Sequence, residues 1–112
     1  MSDVFSDISE APRLNKLSIP EQLSIESRAK LLCVVSSGDQ PIEFHWLKDG
    51  KPFTSGRIEQ LDEWTSSLTL YPLSLDHIGN YTCVASNNVG TNQVTAPLFV
   101  TGIFLILIVM IS

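Results

Sequence analysis

GNYTCVAS at residues 79–86 answers RAKLLCVVS at residues 28–36, and the pair decides the fold. Cys33 and Cys83 stand fifty residues apart, with Trp46 thirteen residues after the first and Tyr81 two residues before the second. Cysteines on two facing sheets need strands that return to the same level, and this interval holds about five short strands with their turns. The spacing therefore predicts an all-β fold, a two-sheet sandwich of Greek-key type, with a Cys33–Cys83 bridge through its middle and Trp46 packed on the bridge. Closing so long a loop stabilises the fold by about 4 kcal/mol in the chain-entropy model. Burial of the indole adds about 4–6 kcal/mol, from ~150–250 Å² at ~25 cal/mol/Å². Together these rival the net stability of a small domain. The other reading of the pair, two buried reduced thiols in a cytosolic sandwich, stays open at this point.

The cysteines also set the phase of their strands. In RAKLLCVVS, Ala29, Leu31, Cys33 and Val35 face inward together, which turns Leu32 and Val34 outward. After the turn cluster SSGDQP, Ile42, Phe44 and Trp46 share one face while Glu43, His45 and Leu47 share the other. KDGKP at 48–52 reverses the chain, Arg57-Ile58 opens a short strand, and SSLTLYPL at 66–73 puts Leu68, Leu70 and Leu73 inside. A polar turn containing Trp64 separates those two strands. Tyr81, Cys83 and Ala85 point inward, NNVG at 87–90 makes a hairpin, and the returning strand buries Val94, Ala96, Leu98 and Val100, leaving Phe99 outside. At the front, prolines 12 and 20 flank Leu14, Leu17, Ile19, Leu23 and Ile25, as suits an edge strand that switches sheets at a proline-marked break. This gives seven or eight strands and no helix of note.

With 112 residues, 44% of them hydrophobic and 17% charged, the chain has enough apolar material for one packed domain. Seven basic against twelve acidic residues give a net charge of −5 with no basic stripe, which excludes a nucleic-acid partner. The domain proper is expected over residues 12–101, after a flexible tail at 1–11. That tail has no apolar stretch able to direct secretion, so a bridged domain implies a fragment of a longer chain or a gene model lacking its first exon. Residues 102–112 form a short apolar segment. Ile103 to Ile111 would reach about 14 Å as a helix, under half of a ~30 Å bilayer core. Three readings of it stand: a membrane span cut short, non-native read-through, and a genuine hydrophobic anchor or interface.

Cys33, WLKDG at 46–50, GNYTC at 79–83 and the following NNVG resemble an I-set immunoglobulin domain of a cell-adhesion receptor, over about residues 12–100. SSGDQPIEFHWLKDG at 36–50 and HIGNYTC at 77–83 are narrower: they resemble domains of the Down syndrome cell adhesion molecule (Dscam) family, especially its arthropod members. Most I-set domains carry, two residues before the glycine, an aspartate that pairs with an arginine opening strand D. Here that position is His77, with Asp76 just before it, so the usual bridge to Arg57 is not expected from it. The resemblance implies extracellular recognition at a cell surface, often homophilic, in tandem arrays tethered to membranes. It leaves two further possibilities: an intracellular structural I-set domain of a giant muscle-type protein, and an arthropod immune-recognition receptor domain. Membrane attachment would come only through the parent protein or a completed C-terminal span.

Catalysis needs a nucleophile, a base and an orienting group in one pocket, and two histidines with scattered carboxylates do not supply them. His45 reads as a solvated residue of an outer face and His77 as a hydrogen-bonding residue of a corner. Asp62-Glu63 are turn neighbours that point apart. No spacing matches a zinc or calcium site, so no catalytic residue, cofactor or metal ligand is expected. Asn80-Tyr81-Thr82 is an N-x-T sequon with Asn80 and Thr82 out of phase with the core, a possible glycosylation site on an open face. Tyr81 should brace the corner at residues 75–77 through its hydroxyl. Leu32, Val34, Leu47 and Phe99, all outward by phase, are the candidate contact residues for a protein partner.

Overall fold

The computed structural model describes residues 8–101. Most of the expected tail and the whole apolar segment at 102–112, with the question of a membrane span, lie outside the described residues. Eight strands follow one another: β1 (Arg13–Leu14), β2 (Ala29–Ser37), β3 (Glu43–Lys48), β4 (Lys51–Pro52), β5 (Arg57–Asp62), β6 (Thr65–Leu70), β7 (Gly79–Ser86) and β8 (Thr91–Leu98). One 3-10 turn, Leu75–His77, rounds the corner between β6 and β7. The strands form two antiparallel four-stranded sheets, β1-β2-β6-β5 and β4-β3-β7-β8, which are the two leaves of the sandwich.

Alternation fills the gap between the leaves. Leu31 and Cys33 from β2, Leu68 and Leu70 from β6, Tyr81, Cys83 and Ala85 from β7, and Leu98 from β8 are all buried. β2 pairs with β6 at Cys33↔Ser66, and β3 pairs with β7 at Trp46↔Cys83, so the two cysteines meet at mid-height of the sandwich. Asp49 and Gly50 link β3 to β4, both with positive φ (51° and 82°), as a two-residue type I′ hairpin requires.

The first segment changes sheets. The Asn15 N–H donates to Val34 O at 2.9 Å, and Ser18 exchanges hydrogen bonds with Leu32, all against β2. Beyond Pro20 the chain crosses over: the Thr101 N–H donates to Leu23 O and the Ile25 N–H to Thr101 O, each at 2.9 Å, in a parallel contact past the end of β8. Proline removes a donor, which lets the chain leave one sheet for the other without stranding a ladder bond.

Glu10, expected within the tail, makes polar contacts with the sandwich. Glu10 O accepts from the Asp39 N–H and from Asn87 Nδ2, and the Glu10 N–H donates to Asp39 Oδ1. Hydrophobic alternation carries no signal for such contacts, because side-chain amides and loop carbonyls make them.

Candidate functional site

The interior is organised around the Cys33–Cys83 disulfide, whose Cα atoms are 6.3 Å apart. Trp46 lies buried beside it, and its Nε1–H donates to Ser66 Oγ, a buried hydroxyl of the opposite sheet, at 3.0 Å. The indole thereby meets its one polar requirement inside the core. Tyr81 is wholly buried, and its hydroxyl donates to His77 O at 2.7 Å. His77 fixes the same corner from the other side, its Nδ1 accepting from the Ser74 N–H at 3.0 Å. Phe53 meets the Tyr81 ring edge-on, with centroids 5.7 Å apart. Burial, and secondarily the negative charge of Asp49, pushes the Tyr81 hydroxyl pKa up to about 12.

A second polar clamp sits at the start of β7. Asp49 Oδ1 accepts from the Asn80 N–H at 2.9 Å, and the Asp49 N–H donates to Asn80 O at 2.8 Å. The Asn80 N–H holds the Asp49 carboxyl below the usual carboxylate range, with the ammonium of Lys48 helping and desolvation opposing. Gly79 lies under this carboxylate, and a Cβ there would sit 2.8 Å from Asp49 Oδ2. None of these pairings is legible in the sequence alone. The signals it offers are the aspartate of the I′ turn and the glycine before Asn80, but only the folded register joins them.

The four candidate contact residues do not form one patch. Leu32 and Val34 alternate with the inward side chains of β2 and so stand on the outer face of the first sheet. Leu47 alternates with Trp46 and stands on the outer face of the second. These three are half-buried: the segment Asn15–Ser18 runs alongside β2, and Leu47 is paired with Pro52. Phe99 alone is open, at 66% exposure, and it lines a cavity of about 290 Å³ together with Leu17, Ile19, Pro20, Glu21, Ala96 and Pro97.

Asn80 is exposed, but Thr82, expected on an open face, is only 6% exposed. Its hydroxyl lies 2.7 Å from that of Thr95, which stands directly opposite on β8 and is itself exposed. His45 is exposed on β3, remote in the chain from the corner that holds His77. Arg57 pairs with Glu59 on its own strand at 3.4 Å. Among the described residues no three His, Cys, Asp or Glu side chains converge as metal ligands would.

This architecture has relatives. The family model described as "Immunoglobulin domain" matches residues 12–87. The cell adhesion molecule Dscam2 of Drosophila melanogaster is 37% identical over 90 residues, which are 78% of this chain and 4% of that protein. Among solved structures, the Dscam1 Ig7 domain, isoform 5, superposes with a TM-score of 0.77 at 28% identity, covering 84% of this chain and all of that one. The titin I-band fragment I67–I69 superposes with a TM-score of 0.73, also at 28% identity, covering 85% of this chain and 34% of the fragment. The chain thus spans about 4% of the length of the curated adhesion molecules it matches. With two facing four-stranded sheets, a cystine between β2 and β7, a tryptophan on that cystine and a tyrosine closing the corner before it, the chain belongs to the immunoglobulin domain family.

Proposed function

We propose that this domain is an extracellular protein-binding module of a cell-adhesion receptor, and that it recognises like domains rather than catalysing a reaction. The observation that carries this is the likeness to a fly cell adhesion molecule over 78% of the chain. A cystine-pinned sandwich supports it, because such bonds persist in oxidising compartments. Binding is assigned to sheet faces, with Phe99 and its apolar surround at the centre of the contact and Leu32, Val34 and Leu47 as subsidiary surface. One domain would bury less than the ~1,600 Å² of a standard interface, so affinity is modest and tandem copies raise it through effective concentration.

Analytical ultracentrifugation of the secreted chain up to high micromolar concentration, together with clustering of beads that carry it in tandem, tests the proposal. Weak self-association that is lost in Phe99→Ser is the expected result. A strictly monomeric chain whose beads never cluster overturns like-to-like binding. The likeness to titin favours one other reading, an intracellular structural domain. Thiol titration of the native protein under denaturation separates the two: no free thiol fits the extracellular module, two free thiols the intracellular one.

A further inference from the structure

We propose that Asn80 accepts an N-linked oligosaccharide, and that it does so before β8 closes over β7. This rests on the extracellular reading above, since the transferase works in the secretory lumen. Asn80-Tyr81-Thr82 is an N-x-T sequon. In the folded domain Tyr81 fills the core, while Asn80, one residue out of phase, is exposed. The main chain of Asn80 is held at both its N–H and its carbonyl by Asp49. Its carboxamide, among the described residues, makes no hydrogen bond. The residue opposite on β8 is Pro97, itself exposed. A sugar on Asn80 Nδ2 therefore projects into solvent without breaking a ladder bond or entering the core.

The rest of the sequon is hidden once the fold is complete. Thr82, whose hydroxyl the transferase must read, is 6% exposed and engaged with Thr95 at 2.7 Å. Residues 81–86 are paired on one side with β3 and residues 79–86 on the other with β8, so the sequon cannot extend into an enzyme's active site. Transfer thus belongs to the interval before Thr82 and Thr95 meet and before Cys83, the next residue, is bridged. The donor is a lipid-pyrophosphate-linked oligosaccharide. Asn80 Nδ2 attacks the anomeric carbon of the first sugar and forms the C–N bond. The C–O bond to phosphate breaks, its electron pair leaves with the lipid pyrophosphate, and the amide gives up one proton. No oxidant or reductant takes part.

The test is to produce the full chain behind a cleavable secretion signal in glycosylating cells and to map its peptides before and after enzymatic removal of N-glycans. The expected result is a glycopeptide containing Asn80, lost in Asn80→Gln and Thr82→Ala and kept in Thr82→Ser. Thr95→Val breaks the same hydroxyl contact as Thr82→Ala but preserves the sequon, so its product should remain glycosylated. Mapping the wild-type chain answers the question even if a variant misfolds. For the timing, the purified, disulfide-bonded chain should be inert to oligosaccharyltransferase and the reduced, unfolded chain should be a substrate. Equal transfer to both overturns the order of events. A secreted, disulfide-bonded wild-type chain with a bare Asn80 overturns the acceptor assignment and leaves the binding module standing. Free thiols at Cys33 and Cys83 in the native protein overturn the extracellular reading, and the assignment with it.

Discussion

Trp46 Nε1–H reaches across the gap between the sheets to Ser66 Oγ at 3.0 Å, so the side chain that packs on the cystine also joins the two leaves by a hydrogen bond. Ser66→Ala would leave the indole N–H unpaired in the core, and an unsatisfied buried donor costs about 1–3 kcal/mol. The urea midpoint should fall accordingly. In the double variant with Trp46→Phe, the added cost of Ser66→Ala should largely disappear because the donor is gone. An unchanged midpoint for Ser66→Ala alone would mean that the indole finds another acceptor.

Trp46→Ala tests the packing rather than the hydrogen bond. Removing a buried aromatic should cost about 3–5 kcal/mol, since the cavity left beside the bridge cannot collapse around a fixed cystine. Thermal melting near wild type would refute that role.

Tyr81→Phe should cost about 1 kcal/mol or more, because His77 O loses its donor. It should also change the alkaline limb of the stability profile. The Tyr81 hydroxyl pKa is raised in the folded chain to about 12, against about 10 when unfolded. The folded state therefore holds this proton more tightly. The stability it contributes is fully present below about pH 10 and is lost as pH climbs to about 12. Denaturant midpoints measured through this window should drop more steeply for wild type than for Tyr81→Phe, and parallel curves would show that another group governs alkaline unfolding.

Gly79→Ala should destabilise slightly, because the new methyl meets the Asp49 carboxylate and must push it off the Asn80 N–H. Combining it with Asp49→Ser should cost less than the sum of the two single changes. Because the Asp49 carboxyl pKa is lowered in the folded chain, its contribution is present above the ordinary carboxylate value and disappears as pH falls through the depressed one. Asp49→Asn should accordingly flatten the acid limb. A strictly additive double variant, or an unchanged acid limb, would show that the clamp carries no stability.

The strands were legible because period-two alternation and the two cysteines agree on a single phase. Leu31, Cys33 and Val35, or Tyr81, Cys83 and Ala85, can face only one way. The side-chain partners across the sandwich were not legible. The phase that turns Leu68 and Leu70 inward turns Ser66 inward too, but alternation alone does not show that its hydroxyl meets the Trp46 N–H of the opposite sheet. Phase gives direction and not exposure, and for that reason Thr82, Leu32, Val34 and Leu47 point outward and are still covered to different degrees. Thr95 stands opposite Thr82, the Asn15–Ser18 segment runs beside Leu32 and Val34, and Pro52 pairs with Leu47 across the Asp49-Gly50 turn.

Glu10 is tied to Asn87 at the hairpin end of the sandwich, whereas Thr101 lies past Leu98 at the opposite end. A pull applied between these two residues runs along the strands. It loads the parallel contacts of Leu23 and Ile25 with Thr101 in shear, where the bonds resist together instead of opening one after another. Should they give way, the cystine limits any further extension. The fifty residues of sequence between Cys33 and Cys83 would measure about 170 Å if drawn straight, and none of that length can be released under tension while the bridge is intact. The same bond that centres the core thus acts as a leash, setting the longest reach of a stretched domain.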